Sequence, residues 1–138
     1  MIEDVDANVT GSQLYIDFPK TNNSEDDGLF VDGMVQADSF AQTSDMRYKD
    51  YVEEDNCITF DSILNAPWFK YTYKGSNKQH VGSSAQYWQM ICPDLVSSNK
   101  EGRLGLNYSN AALGAVITLA KKIKELEDEI KMLKGGNV

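Results

Sequence analysis

The sequence has only one histidine, His80, and two cysteines, Cys57 and Cys92, with no CxxC between them. That scarcity argues against a Cys/His zinc cluster, and no EF-hand loop is present, so no metal is expected. The two cysteines read as ordinary reduced core thiols in a cytosolic setting. Long hydrophobic runs are also missing: nothing approaches the roughly 20 apolar residues of a membrane helix. The opening MIEDVDANVT lacks a basic region followed by an apolar block, so it is not a signal peptide, and the chain reads as a piece of something longer. Positive charge is short as well. Lys and Arg number 13 against 21 Asp and Glu, a net charge of -8. Such a chain repels nucleic-acid backbones and anionic membranes, and neither is an expected partner.

What remains suits one modest domain, or a small domain with an extension: 138 residues, 41% of them hydrophobic. The first stretch is poor in bulky residues. QLYIDF, Gln13 to Phe18, alternates like a strand, TNNSEDDG (21–28) is an acidic loop, and LFVDGMVQADSF (29–40) predicts two short strands around Asp32-Gly33. Together these make a strand-rich stub that needs partners.

A denser block follows. Thr59 or Asp61 caps a short helix through Ile63 and Leu64 that stops before Pro67. WFKYTYKG has period two and predicts a strand turning at Gly75. Ser83 or Ser84 caps a second helix, AQYWQMIC, ended by Pro93, and RLGLNY (103–108) is a short strand. Trp68, Trp88, Tyr71 and Tyr73 are expected in the core.

Ser109 or Asn110 should cap the last element, a helix over about 110–134 that Gly135-Gly136 ends. Val116, Leu119, Ile123, Leu126, Ile130 and Leu133 recur at spacings of 3 and 4, the a/d pattern of a coiled coil. Lys122 and Glu129 fall at g, Glu127 and Lys134 at e. Opposite charges would meet in either a parallel or an antiparallel assembly. Lys121–Glu125, Lys124–Asp128 and Glu127–Lys131 are i,i+4 pairs within one helix, each worth about 0.2–0.5 kcal/mol. The alternative is an amphipathic face packed on its own domain. Ile at a with Leu at d favours two strands in a free peptide, a preference that a head with its own symmetry can override.

Several short motifs occur in order: Ala37-Asp38-Ser39-Phe40, Ser44-Asp45-Met46-Arg47-Tyr48-Lys49, Ile63-Leu64-Asn65-Ala66-Pro67, His80-Val81-Gly82 with Ala85-Gln86, Pro93-Asp94-Leu95-Val96, Asn107-Tyr108-Ser109 and Ile123-Lys124-Glu125-Leu126. The set, spanning about residues 37–134, resembles the intramolecular chaperone and serine autoprotease domain at the C-terminus of phage endosialidases, tail fibres, tailspikes and neck appendage proteins. The family pattern is roughly S-D-x-R-x-K, H-x-G-x-x-A-Q, P-x-L-V and a tyrosine before a helix with I-K-E-L. Ser83-Ser84 departs from it, standing where the family carries apolar residues.

The resemblance implies an α+β fold: a β-rich stub (1–43) ending a fibre shaft, then a mixed head with a long C-terminal helix (44–138) that joins a trimeric, coiled-coil-like bundle. It implies a homotrimer that works on the upstream shaft of its own polypeptide. The setting is the host cytoplasm during phage assembly, and the mature fibre then sits in the virion tail. No cofactor is required. Nucleotide involvement has been proposed for some phage members, so ATP stays an alternative. However, GxxxxGK[ST] is missing and KGSNK is only a basic turn.

The chemistry centres on Ser44. A serine hydroxyl is a poor nucleophile until a base takes its proton, and the candidate base is Lys49, which must be neutral to act. Arg47 is the cation that would depress the lysine or hold an oxyanion, and burial on trimer assembly would time the cut. Asp45, His80 and Gln86 are supporting candidates near the site. The family is cut after the serine, here Ser44–Asp45. A serine attacking the preceding carbonyl would form a five-membered ring and cut Thr43–Ser44 instead. A break after Ser44 therefore implies attack on another chain, or water assisted by Ser44. Read alone, QTSDMRYKD is a solvated turn with Ser44 capping and Asp45 paired to Arg47. Two other functions compete: a proteolytically inactive structural cap, and a receptor-binding fibre tip using exposed aromatics such as Tyr87 or Trp88.

Overall fold

A computed structural model of the chain describes residues 28–50 and 52–135. The predicted strand Gln13–Phe18 lies outside the described residues. LFVDGMVQADSF forms no strand, which corrects the expected hairpin at Asp32-Gly33. The physical reason is that two short strands hold only when a face is covered. Here Leu29, Phe30, Met34 and Phe40 are all exposed, and nothing among the described residues covers them.

The head is α+β. Thr59 caps α1 (Phe60–Leu64) with a reciprocal capping box to Ser62. Strand β1 (Phe69–Thr72) pairs antiparallel with β2 (Gln79–Gly82), placing Tyr71 opposite His80. Ser84 caps α2 (Ala85–Ile91) by accepting from the Tyr87 amide, and Pro93 opens a short 3-10 turn to Leu95. A second antiparallel pair joins β3 (Val96–Ser98) to β4 (Leu104–Leu106). Its turn uses Gly102 at φ +77°, and the Asn99 carboxamide oxygen accepts from the Glu101 and Arg103 amides. Sequence reading missed β2 and β3, since neither QHVG nor VSS alternates strongly.

The last helix, α3 (Tyr108–Gly135), begins earlier than expected. Its cap is Asn107, whose side-chain oxygen accepts from the Asn110 amide, so the expected caps Ser109 and Asn110 sit inside the first turn. Trp88, Cys92, Leu95 and Ala111 form the buried core, with Ile58, Ala66, Ile91, Val96 and Leu106 against it. α1 packs on α3, and α2 packs on the β3–β4 pair. Trp68, expected inside, is 70% exposed, and Tyr73 is exposed too.

The cysteines are corrected outright. Cys57 and Cys92 are disulfide-bonded, with Cα atoms 5.4 Å apart. The segment before α1 lies across the end of α2, within the Cα separation a disulfide spans. Closing 35 residues restricts the unfolded chain by roughly 3–4 kcal/mol in the chain-entropy account. A 35-residue spacing without CxxC carries no signal of such pairing.

On α3, Lys124–Asp128 (2.6 Å) and Lys131–Glu127 (3.4 Å) form as expected. Lys121 instead reaches Glu54 at 2.9 Å, holding that carboxyl below its usual range, and Lys122 takes Glu125. The predicted seam is bare where it leaves the head. Ile123, Leu126, Ile130 and Leu133 are all exposed, so the helix is not an amphipathic face packed on its own domain there.

Candidate functional site

Ser44 and Lys49 are five residues apart, too far to touch in an extended chain. A 3-10 turn, Met46–Tyr48, folds the chain back between them. Asp45 caps that turn by accepting from the Arg47 amide at 3.0 Å. Its carboxylate also accepts from Arg47 Nε (3.1 Å to each oxygen) and from Nη2 at 2.6 Å. Those hydrogen bonds to Arg47 hold the Asp45 carboxyl below its ordinary value and push the guanidinium up. The result is a clamped turn that delivers Lys49 Nζ to 2.9 Å from Ser44 Oγ.

The sequence therefore names a contacting pair and a bracing pair. Asp45, rather than Ser44, is the cap. Arg47 is engaged by Asp45 through two of its nitrogens. The Lys49 ammonium donates to Ser44 Oγ as placed. Loss of one proton turns this into a lysine lone pair accepting the serine O–H, with no heavy atom moving. Both residues are exposed among the described residues, so nothing described there buries the pair.

His80 sits elsewhere, stacked on Tyr71 at 5.5 Å and edge-on to Tyr73 at 5.0 Å. Tyr71 is pushed up to about 12, first by its hydrogen bond with Tyr73 and then by burial, so its phenol stays uncharged near neutrality. The Gln86 side chain accepts from the Ser84 hydroxyl. Among the described residues no hydrogen bond joins His80 or Gln86 to Ser44 or Lys49.

Two motif residues gain structural reasons. Tyr108 Oη accepts from the Ser83 amide at 2.9 Å. A Cβ at Gly82 would stand 2.5 Å from that oxygen and 3.3 Å from Tyr71 Cε1. Gly82 and Tyr108 thus fit together and tie β2 to the start of α3. Gly82→Ala should displace Tyr108 and cost about 1–3 kcal/mol, read as a lower urea midpoint. An unchanged midpoint would mean Tyr108 yields freely.

An open groove of about 480 Å³ runs between residues 55–60 and α3, lined by Ile58, Phe60, Leu95, Gly114 and Ile117 among others. Ser44 and Lys49 do not line it. At one end the Asp55 carboxylate and the two cysteine sulfurs lie within 4.8 Å of one another, but both sulfurs are spent on the disulfide. The expected glycan-contacting aromatics are also committed. Trp88 is 7% exposed and donates from Nε1 to Ser83 Oγ, while Tyr87 donates to the Ser62 carbonyl. Compared with protein-family models and with curated proteins, the chain matches none.

Proposed function

We propose that this chain is the C-terminal intramolecular chaperone of a phage tail fibre, tailspike or neck appendage protein, releasing itself by serine-dependent autoproteolysis at Ser44. The observation that carries the reading is the 2.9 Å approach of Lys49 Nζ to Ser44 Oγ on a braced turn. The second support is the long helix α3, most of whose apolar seam is exposed among the described residues.

Three α3 seams close on one another and bring three upstream chains to high effective concentration. Interleaved strands from three chains are non-local contacts that form slowly and leave edges unpaired meanwhile. The bare apolar side chains of residues 29–40 suit that role, as the last of a shaft awaiting its neighbours. Assembly buries Lys49, which favours its neutral form. The lysine then takes the Ser44 proton, and Oγ attacks the Ser44 carbonyl of a neighbouring chain. The proton passes to the leaving amine of Asp45, and water hydrolyses the ester. Attack within the chain would instead open Thr43–Ser44. Once the head is gone, the fibre persists through slow unfolding.

The inactive-cap reading shares the seam and differs only at Ser44. Cleavage rate against protein concentration tests the coupling of assembly to cutting. The rate should climb as trimer forms and then level off. A monomer that cuts as fast as the trimer would contradict it.

A further inference from the structure

Among the described residues, one hydrogen bond joins residues 28–50 to the rest of the head. It runs between Gln42, two residues before Ser44, and Ser109 in the first turn of α3, a separation of 67 residues. Ser109 Oγ lies 2.8 Å from Gln42 Oε1 and 3.0 Å from Asn107 Oδ1. The hydroxyl has one proton and cannot donate to both oxygens. Turning the Gln42 carboxamide over satisfies every group: Nε2 donates to Ser109 Oγ, and Ser109 donates to Asn107 Oδ1. Asn107 is itself anchored. Its amide donates to the Leu95 carbonyl at 2.8 Å, and its side chain caps α3. A relay thus runs from the core at Leu95, through the cap of the trimerising helix, to the segment that carries the scissile bond. A second link, Arg103–Asp32 at 3.9 Å between exposed groups, is too loose to fix a position.

We propose that Ser109 and Asn107 are positioning residues for self-cleavage, docking the scissile segment on the start of α3 through Gln42. The inference rests on the self-cleavage reading and says how the head aims Ser44. Gln42 lies before either scissile bond and Ser109 after both. The contact therefore spans the cut and is lost when the head leaves.

Four features separate this role from simple stability. Ser109→Ala should slow cleavage about 10- to 100-fold, the scale of a small misplacement of reacting groups. It should do so with unchanged trimer content and an unchanged pH profile, because the base is untouched. Ser109→Thr, which keeps the hydroxyl, should restore most of the rate. Gln42→Ala should match Ser109→Ala, and the double variant should be no slower than either. In the uncuttable Ser44→Ala chain, amide exchange at residues 40–44 should quicken when Ser109→Ala is added. A Ser109→Ala rate equal to wild type, with unchanged exchange, overturns the docking while leaving self-cleavage intact. A wild-type chain that never cuts overturns the self-cleavage reading, and the positioning role with it, whatever the exchange shows.

Discussion

Lys49→Ala should assemble like the wild type and cut itself roughly 10²–10⁴-fold more slowly, the usual contribution of a positioned general base. Ser44→Ala should not cut at all. Lys49→Arg discriminates further. Arginine keeps the positive charge and the reach but is never neutral, so it should be as inactive as alanine. A merely electrostatic role for Lys49 would let arginine work. The pH profile supplies the sign. Cutting requires neutral lysine, so the rate should rise with pH in the wild type and lose that dependence in Lys49→Ala. Asp45 does not confuse the profile. Its folded pKa is lowered from 3.8, so its pairing with Arg47 is present above the unfolded value and lost only as pH falls through the lower folded one. Above about pH 5 the clamped turn is therefore constant. Loss of trimer in both Ser44→Ala and Lys49→Ala would contradict the separation of folding from cutting.

Ile123→Asp carries the second large effect. Ile123 is 66% exposed on its own chain, so in a monomer an aspartate there costs little beyond helix propensity. In a closed three-helix seam the same change buries three like charges in one layer. One uncompensated buried charge costs about 3–5 kcal/mol, so three, about 9–15 kcal/mol, match or exceed the roughly 8–12 kcal/mol of a micromolar to nanomolar association. Trimers should vanish at micromolar concentration while the head keeps its helical content. Ile123→Leu, which conserves volume, should remain trimeric. A trimeric Ile123→Asp chain would show that α3 is not the seam, and the assembly would then have to rest on the head alone.

Legibility of this chain followed how local each signal was. Thr59, Ser84, Pro67 and Pro93 act on their immediate neighbours, and the helices they bound were readable. The Ser44–Lys49 contact was readable because a short turn makes it. Contacts set by tertiary placement were not. Nothing in the spacing of Cys57 and Cys92 announces a disulfide, and Lys121 prefers Glu54, 67 residues away, to Glu125 on its own helix. Asn107 displaced Ser109 as the cap because its amide is already fixed to Leu95, which leaves Ser109 free to reach Gln42. The strands expected at residues 29–40 fail for the same reason: their pattern is sound, but no covering surface stands over them among the described residues.

The most direct measurement is the intact mass of the purified protein over time, beside Ser44→Ala. Two fragments summing to the whole chain plus one water, absent in the variant, are the predicted result. A larger piece beginning at Asp45 would put the cut after Ser44; one beginning at Ser44 would put it before. A single full-length mass at every time, under conditions where the protein is trimeric, would contradict self-cleavage and leave an inactive structural cap.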